Sequence, residues 1–232
     1  MKHIVQFSGG KDSTCMLLMM LERGMPIDDI IFCDTTMEFP GMYDHINKVE
    51  KFIGRPITRL KPPHDFIYYF AQHPKTRGKN KGKRGYGWPR MWSRWCTRLF
   101  KIDLTAKYLR NIGNYRLYIG IARDEPKRHD KRMNNVVHPL YNWGITEKMA
   151  LQYCYDHGFD WGGLYEKFRR VSCWCCPLQP LNELRNLRKN YPELWDKLLK
   201  MDEMVMYHFK PNCRLSDLER RFSMEDRQQS LF

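Results

Sequence analysis

The chain has 232 residues, a length that can bury a hydrophobic core as one domain with appendages. Its 40 lysine and arginine residues outnumber its 26 aspartate and glutamate residues, and the resulting charge of +14 favours polyanionic ligands such as nucleotides or nucleic acid. No run of about 18 apolar residues is present, which excludes a membrane-spanning protein.

The opening of the chain predicts a strand, a tight turn and a helix. A short apolar run leads into a glycine-containing turn, and a helical pattern follows to about Arg23. The turn consists of Ser8, Gly9, Gly10, Lys11, Asp12 and Ser13. Glycine lets the backbone approach a ligand, and the start of a helix offers unpaired N–H groups to an anion. The pattern therefore favours a phosphate site, with an ordinary Gly-Gly turn and a solvated lysine as the alternative.

This hexapeptide resembles the PP-loop of the ATP pyrophosphatase superfamily, and it lacks the spacing of a Walker-type loop. The resemblance implies that ATP binds over residues 8–13, with its pyrophosphate part held by backbone amides and Lys11. It also places Lys11 and Asp12 among the catalytic residues. Asp12, or Asp34 at the end of the next strand, would help to hold Mg²⁺.

A second buried strand is predicted at residues 30–33, because this run is apolar throughout. Asp34 follows the strand directly, where ligand contacts collect in open α/β sheets. The order of Asp34 and Thr35, then Phe39 and Pro40, resembles the second signature of phosphoadenosine-phosphosulfate (PAPS) reductases. That resemblance makes Asp34 a nucleotide-binding residue. A helix at about residues 41–53 and a third strand at 56–60 are expected next.

Residues 74–95 contain no acidic residue and no apolar period, and they are predicted to form a mobile surface loop. One interpretation is a contact with DNA or RNA through residues 75–95, because basic charge is combined with aromatic rings that can stack on bases. These rings belong to Tyr86, Trp88, Trp92 and Trp95. The other interpretation is a solvated loop, or one that covers the triphosphate of a bound nucleotide.

A helix over about residues 95–109 carries Cys96 at its start. The helix amino terminus, with Arg94 and Arg98, is expected to lower the pKa of Cys96 and make it a good thiolate ligand or nucleophile. A packed cysteine is the alternative. Cys96 followed by Lys101 resembles a segment of PAPS reductases and, more closely, of DNA-phosphorothioation sulfurtransferases. The resemblance gives Lys101 a catalytic role in stabilising charge at the α-phosphate.

A fourth strand is predicted at residues 115–121 from the alternation of β-branched and aromatic residues. It is followed by Arg123 and Arg128, and this segment resembles the one that meets the nucleotide in the same family. Arginine suits phosphate or sulfate because its planar fork matches their oxygens, although a solvated surface turn would look similar. Residues 136–143 resemble the final strand and connector of the same family, and a helix capped by Thr146 is expected to follow.

Three cysteines in four residues form the second strong pattern. The Cys-x-x-Cys spacing of Cys173 and Cys176 favours zinc, an iron–sulfur cluster or dithiol chemistry. A pair supplies at most two ligands, and the family pattern makes Cys96 the best third ligand. Cys213 is a candidate fourth ligand, with Cys175 as an alternative. A turn with buried structural cysteines would also fit the pattern.

Residues 1–180 therefore resemble the PAPS reductase and PP-loop superfamily, closest to phage-type PAPS reductase-like proteins and phosphorothioation sulfurtransferases. The resemblance implies a nucleotide-binding α/β domain, Rossmann-like and doubly wound, with a mostly parallel five-stranded sheet. Residues 181–232 are predicted to be a carboxyl-terminal helical extension. Its helices are expected at 181–190, 192–206 and 215–222.

The resemblance implies an enzyme that releases pyrophosphate from Mg·ATP, coupled to sulfur transfer or acceptor adenylation, with a Cys-ligated [4Fe–4S] cluster or, as the alternative, zinc. A second hypothesis is a reductase or binder of PAPS- or APS-type sulfonucleotides, although residues 222–232 lack the cysteine of true reductases. A third is a non-catalytic nucleotide- or nucleic-acid-binding subunit with partner proteins in a defence or mobile-element complex. We expect a cytoplasmic protein, because the hexapeptide lies too close to Met1 for a signal peptide.

Overall fold

The computed structural model describes residues 1–129 and 134–229. Its strands are β1 (Lys2–Gln6), β2 (Asp29–Cys33), β3 (Thr58–Leu60), β4 (Tyr115–Ile119) and β5 (Val136–Val137). They form one sheet in the order β3-β2-β1-β4-β5, and every neighbouring pair runs parallel. The expected Rossmann-like α/β fold with a five-stranded parallel sheet is confirmed.

Helices connect the strands and form the carboxyl-terminal part of the chain. They are α1 (Lys11–Glu22), α2 (Pro40–Ile53), α3 (Trp95–Thr97), α4 (Asp103–Ile112), α5 (Pro139–Asn142), α6 (Glu147–Asp156), α7 (Leu164–Lys167), α8 (Leu181–Asn190), α9 (Pro192–Glu203) and α10 (Leu215–Gln229). Short turns of other helical pitch lie at Tyr68–Gln72, Arg98–Ile102, Pro126–Arg128 and Trp161–Gly163. Within the described residues, none of these helices has the length and apolar character needed to cross a membrane.

The sheet is buried on both faces. Val5 and Ile30 belong to the main core, together with apolar residues of α1 and α2. Ile4 and Ile31 belong to a smaller cluster with Leu109 of α4. Successive side chains of a strand point to opposite faces, so consecutive apolar residues are needed where both faces are buried, at Ile4 and Val5 of β1 and at residues 30–33 of β2. This explains the continuous apolar runs in the sequence.

The direction of strand addition reverses at β1. The chain first adds β2 and β3 on one side of β1, and it later adds β4 and β5 on the other. Open α/β sheets bind ligands at such a reversal, at the carboxyl ends of the strands. A Cβ on Gly120, just after β4, would lie 2.9 Å from the carbonyl of Asp12 and 3.0 Å from the Cα of Ser13. Glycine at this position therefore allows the first turn of α1 to pack against the end of β4.

The fifth strand lies at the start of residues 136–143, which are expected to hold the final strand and its connector. It covers only Val136–Val137, and the connector that follows forms the helical turn α5. Pro139 occupies the first position of this turn, where proline is favoured because its fixed φ suits a helix and its missing N–H is not needed. Thr146 caps α6 as predicted, since its hydroxyl accepts a hydrogen bond from the backbone N–H of Met149 at 3.3 Å.

The last helix, α10, is longer than predicted. It continues to Gln229 instead of ending near Phe222. The polar end of this helix is supported by ion pairs, in which Glu225 accepts hydrogen bonds from Arg185 of α8 at 2.7 Å and from Arg221 at 2.9 Å. A local apolar period cannot reveal a partner on another helix, and the sequence alone therefore placed the end too early.

The basic segment, residues 74–95, is exposed at the surface over residues 76–84 and is packed against the rest of the protein at residues 85 and 87–89. Nε1 of Trp88 donates a hydrogen bond to Asp202 of α9 at 2.7 Å. Trp88 is 3% exposed and Trp95 is 8% exposed, so neither ring is available to stack on a base. Trp92, in contrast, is 78% exposed. The anchoring groups are distant in sequence, which is why composition alone suggested an unsupported loop.

Candidate functional site

The glycine loop, residues 8–13, joins β1 to α1 and is held by its own hydroxyl groups. The backbone N–H of Ser8 donates to Oγ of Ser13 at 3.1 Å. The hydroxyl of Ser13 donates in turn to the carbonyl of Gly10 at 2.9 Å. Oγ of Ser8 lies 3.0 Å from Oγ of Ser13. These bonds close the loop upon itself, so that its shape is set before a ligand arrives.

Gly9 fixes the loop to the core beneath it. Its φ of 78° lies in the left-handed region, and a Cβ there would be 2.5 Å from Sδ of Met42. Its carbonyl accepts a hydrogen bond from Nε1 of the buried Trp161 at 2.7 Å. Glycine is required at this position both for its conformation and for the close approach of α2.

The amino terminus of α1 faces the loop. The residue before the helix is Gly10, which has no side chain that could cap this end of the helix. The N–H of Lys11 donates to the hydroxyl of Tyr165 at 2.9 Å, and burial raises the pKa of Tyr165, which keeps that hydroxyl neutral. The first-turn N–H groups of a helix have no partner within the helix, and the helix dipole is positive there. This end of α1 therefore favours an anion.

Lys11 is a buried cation between two carboxylates. It is 9% exposed, and its Nζ lies 3.1 Å from Oδ2 of Asp12 and 2.9 Å from Oε2 of Glu147. Burial alone would lower the pKa of Lys11, but the two carboxylates outweigh burial and raise it. Glu147 is held by Asp124, whose Oδ1 accepts from the N–H of Glu147 at 3.0 Å. The first residue of α6 thus reaches the Lys11 ammonium, and the loop after β4 contacts that residue through Asp124.

Asp12 has one oxygen suited to a cation. Its Oδ1 is buried and has no hydrogen-bond partner among the described residues, while its Oδ2 accepts from Lys11. Burial raises the pKa of Asp12, and the nearby Lys11 opposes that rise. Buried polar atoms are nearly always paired, and Mg²⁺ prefers carboxylate oxygens. The orphaned oxygen therefore fits a magnesium ligand.

Asp34 lies at the end of β2, and both of its oxygens are already engaged. Oδ1 accepts from the N–H of Thr36 and from the hydroxyl of Tyr43, each at 2.8 Å. Oδ2 pairs with Nζ of Lys61 at 3.0 Å. Of the two aspartates considered for a metal, Asp12 is therefore the one with a free oxygen.

The two arginines predicted to bind the nucleotide lie after β4, and their surroundings differ. Arg123 is exposed, and its guanidinium carbon is 4.5 Å from the ring centre of Tyr141. Arg128 donates to both oxygens of Glu125, at 2.6 and 2.8 Å. Because the guanidinium of Arg123 packs face-on against the ring, the N–H donors at the edge of that guanidinium stay available. Arg128 would have to give up its bonds to the Glu125 carboxylate before it could bind an anionic ligand.

Cys173 lies beside a buried carboxylate. Its Sγ is 3.5 Å from Oε1 of Glu38 and 3.4 Å from the hydroxyl of Thr35. Thr35 also donates to Oε1 of Glu38 at 3.0 Å. Burial raises the pKa of Cys173, Glu38 adds to that rise, and Lys101 opposes it. This environment favours the neutral thiol until a cation compensates the charge of the thiolate.

Cys96 has a raised pKa, which corrects the prediction of an acidified thiol. Burial is the main cause, and the nearby Cys176 thiolate adds to it, whereas Lys101 opposes it. Lys101 is partly exposed to solvent, and its ammonium group lies close enough to the Cys96 thiol to affect the pKa of that thiol. Burial would lower the pKa of Lys101, and the charges of Cys173 and Glu38, among others, raise it instead. The Lys101 ammonium therefore lies close to these thiols.

The cysteine cluster comprises Cys96, Cys173, Cys175 and Cys176. Burial raises the pKa of Cys175, and the other three thiolates raise it further, which indicates their proximity. Within residues 1–129 and 134–229, no group of three or more Cys, His, Asp or Glu side chains is arranged to hold a metal ion. The donor types fit an iron–sulfur cluster or zinc, although the side chains do not adopt an assembled metal site.

Cys213 is connected to the cluster indirectly. Its backbone pairs with that of Lys210, with N–O distances of 3.0 and 3.2 Å. The Lys210 ammonium donates to the carbonyls of Pro177 (2.6 Å) and Gln179, immediately after the cysteine motif. The structure therefore brings Cys213 to the neighbourhood of the motif, while Cys175 lies within it.

Comparison with protein families gives a match over residues 2–179 to the phosphoadenosine phosphosulfate reductase domain. The chain belongs to this family. The match runs from β1 to the cysteine motif, so the PAPS reductase domain includes both the glycine loop and the cysteine cluster.

Relatives of this PAPS reductase domain protein are found in archaea and phages. An uncharacterized protein of Methanocaldococcus jannaschii is 27% identical over 84% of this chain and 40% of its own length. An uncharacterized nin region protein of Escherichia phage lambda is 30% identical over 55% of this chain and 50% of its own length. The chain therefore spans half or less of these curated relatives.

A solved structure shares the fold of this family member. The crystal structure of PAPS reductase from Candida auris, in its phosphate complex, aligns with a TM-score of 0.53 and 17% identity. The alignment covers 75% of this chain and 82% of that chain. At this identity the likeness concerns the fold alone.

Sequence reasoning missed four residues of this site in the PAPS reductase domain. Glu147 and Tyr165 contact Lys11, Trp161 holds Gly9, and Glu38 lies beside Cys173. Each of the four is far along the chain from the group it contacts, where no local pattern connects them. Glu38 could still have been found, because it lies three residues after Thr35 in the signature that follows β2.

Proposed function

We propose that this chain is an enzyme that binds Mg·ATP at the glycine loop and cleaves it at the α-phosphate with release of pyrophosphate. The observation that carries the proposal is Lys11, a buried cation in the first turn of α1, at the strand where the direction of strand addition reverses. Membership of the PAPS reductase family supports an adenine nucleotide as the ligand.

In the proposed reaction, the pyrophosphate part lies over residues 8–13, beside the Lys11 ammonium. It is held by backbone N–H groups of the glycine loop other than those of Ser8 and Lys11, which donate to Ser13 and Tyr165. Oδ1 of Asp12 would hold Mg²⁺, which offsets charge on the leaving group. An acceptor oxygen forms a bond to the α-phosphorus, the bond to the bridging oxygen breaks, and the acceptor proton passes to solvent. Arg123 would stabilise charge at the α-phosphate.

Lys101 and the cysteine cluster are proposed to serve the acceptor. Cys96, Cys173 and Cys176 would hold a [4Fe–4S] cluster, with Cys175 or Cys213 as the fourth ligand, and zinc is the alternative. Such a cluster, when bound, supplies iron that can carry the sulfur to be transferred. Lys101 would place positive charge beside the thiolates and the incoming acceptor. Arg128 would help to hold the nucleotide once its guanidinium group has left the carboxylate of Glu125.

Pyrophosphate release from ATP by the full chain, prepared without oxygen, tests the first part. Lys11→Ala should lose the activity, because the cation that holds the leaving group is removed. Lys197→Ala removes an exposed charge from α9 and is the matched control, with unchanged activity expected. Pyrophosphate release by Lys11→Ala at the parental rate would refute the proposal.

Absorbance and iron content test the second part. Protein purified without oxygen should be brown, and Cys173→Ser should abolish the charge-transfer absorbance. Cys175→Ser and Cys213→Ser then distinguish the two candidates for the fourth ligand. A colourless wild-type protein that contains one zinc ion would contradict the iron–sulfur assignment and leave the ATP site untouched.

A sulfonucleotide of the PAPS or APS type is the second candidate ligand, and the family match itself favours it. Calorimetric titration with ATP and with PAPS separates the two. Tighter binding of PAPS, without pyrophosphate release from ATP, would replace the proposed activity with that of a sulfonucleotide reductase or binder.

A further inference from the structure

The basic segment carries eight lysine and arginine residues and no acidic residue. Six of these cations are exposed, namely Arg77, Lys79, Lys81, Lys83, Arg84 and Arg94. In the part of the chain that the structure describes, no carboxylate forms an ion pair with any of the eight. A run of cations without neutralising partners favours a polyanion, because binding releases the counterions of that polyanion.

The segment presents these charges on a folded support. At its tip, the N–H of Lys75 donates to the carbonyl of Lys83 and the N–H of Gly82 donates to the carbonyl of Lys75, both at 2.9 Å. At its base, a Cβ on Gly87 would lie 2.5 Å from Cδ2 of Tyr207, and the ring of Trp88 packs 4.8 Å from that of Phe209. A supported backbone loses less conformational entropy when it binds a partner.

Trp92 adds a stacking surface to the charge. Its side chain is 78% exposed, and the guanidinium carbon of Arg90 lies 5.8 Å from its ring centre. Met91 beside it is 70% exposed. Tryptophan is seldom so exposed in a soluble domain, and an accessible indole among cations offers its face to an unpaired base.

We infer that the basic segment is a binding face for single-stranded nucleic acid, with the exposed cations on the phosphates and Trp92 stacked on a base. This interaction goes beyond the proposed ATP chemistry and does not depend on it. Single strands are favoured over duplexes because a duplex keeps its base faces stacked and offers Trp92 no partner. Arg94 lies two residues before Cys96, so a bound strand would lie beside the cysteine cluster.

Fluorescence anisotropy with a labelled oligothymidine of about 20 nucleotides, longer than typical single-strand sites, tests the inference across a salt series. One variant replaces Arg77, Lys79, Lys81 and Lys83 by glutamine. The control variant replaces four exposed lysines outside the segment by glutamine and therefore removes the same total charge. These are Lys51 on α2, Lys189 on α8, and Lys197 and Lys200 on α9. Trp92→Ala is the third variant. None of these side chains is buried, so folding should be preserved.

The segment variant should bind the oligothymidine at least tenfold more weakly, with a salt slope reduced by about 0.7 for each phosphate that the variant leaves unneutralised. Trp92→Ala should bind about five- to a hundredfold more weakly without a change of slope, because stacking is not electrostatic. The control should stay within twofold of wild type. A hairpin duplex should bind with no dependence on Trp92.

Equal losses of oligothymidine affinity in the segment variant and the control would overturn the inference, because binding would then depend on the total charge of the protein and not on the basic segment. Tighter binding to anionic vesicles than to the oligothymidine at the same salt would also overturn it. Titration of the same proteins with ATP separates this inference from the proposed function. Weakened ATP binding in the segment variant would mean that the segment covers the triphosphate. Oligothymidine binding as expected, without any ATP binding, would refute only the proposed function.

Discussion

The glycine loop and the basic segment both contain glycines and basic side chains, but the surroundings of these basic side chains are opposite. The glycine loop has one cation, Lys11, which is buried and paired with two carboxylates. The basic segment has eight cations, most of them exposed and none in an ion pair among the described residues. A buried and balanced cation suits a small anion of fixed shape. An exposed and unbalanced array suits a long polyanion.

The same contrast extends to the glycines. Gly9 packs closely against Met42 and accepts a hydrogen bond from Trp161, so the glycine loop is held to the core at this residue. The basic segment is tightly packed at its base, where Gly85 lies, and open at its tip, where a Cβ on Gly78 would meet nothing within 4 Å. We therefore expect the two regions to differ in how substitutions affect stability, and the predictions follow from the largest effect to the smallest.

Gly85→Ala should cause the largest loss of stability, at least about 3 kcal/mol. A Cβ there would lie 2.2 Å from the carbonyl oxygen of Phe70 and 2.6 Å from the Cα of Ala71, and the φ of 66° adds strain. Gly78→Ala is the matched control, with a similar φ of 72° and open space around it, and should lose only about 1–2 kcal/mol. Urea unfolding measures both. Equal losses would mean that the base of the segment is not packed as described.

Trp161→Phe should destabilise the protein by about 1–3 kcal/mol, because the carbonyl of Gly9 loses its indole donor. The substitution keeps an aromatic ring in the core and removes only the hydrogen bond and some packing. Trp92→Phe, on the exposed part of the basic segment, should change stability by less than about 0.5 kcal/mol. Urea unfolding again gives the comparison, and a neutral Trp161→Phe would show that the indole does not hold the glycine loop.

Glu147→Gln should have the smallest effect and should strengthen ATP binding about two- to fivefold. Glu147 competes with phosphate for Lys11, and its side chain is accessible enough to solvent for the ion pair to be worth under about 1 kcal/mol. Calorimetric titration measures the change. Weaker binding in this variant would mean that Glu147 helps to hold the nucleotide.

The same variant should alter the response to alkaline pH. The carboxylates raise the pKa of Lys11 above its usual 10.5. The stability from this charge is therefore complete below pH 10.5 and is lost as the pH rises through the folded-state pKa. Without Glu147 that loss should begin at a lower pH, which thermal unfolding between pH 9 and about 12 can detect. Identical curves for both proteins would contradict the ion pair.

The sheet and the positions of its loops could be predicted from sequence, because they depend on local patterns. Apolar runs marked the buried strands, and the spacing of glycine, lysine and serine marked the turn after β1. What could not be predicted depends on distant contacts. Lys11 contacts Tyr165 and Glu147. Both residues lie on elements that the fold brings back to the start of the chain.

The cysteine cluster shows the same limit for electrostatics. Arg94 and Arg98 beside Cys96 suggested a lowered pKa, but the thiol is buried near other thiols and its pKa is raised. In a folded protein, removal from water outweighs positive charge that is adjacent only in sequence. For the basic segment, composition indicated a loop without support from the rest of the protein. It could not reveal that Trp88 bonds to Asp202 of α9 and that Gly87 packs against Tyr207 after α9.

The most direct test of the central claim is calorimetric titration of the full chain with Mg·ATP, on wild type and Lys11→Ala side by side. Charge-assisted hydrogen bonds to phosphate contribute about 1.5–3 kcal/mol, so the substitution should weaken binding about 10- to 150-fold. The four-residue variant of the basic segment should bind ATP as wild type does. Equal affinity of Lys11→Ala and wild type for Mg·ATP would contradict the assignment of the glycine loop as the phosphate site.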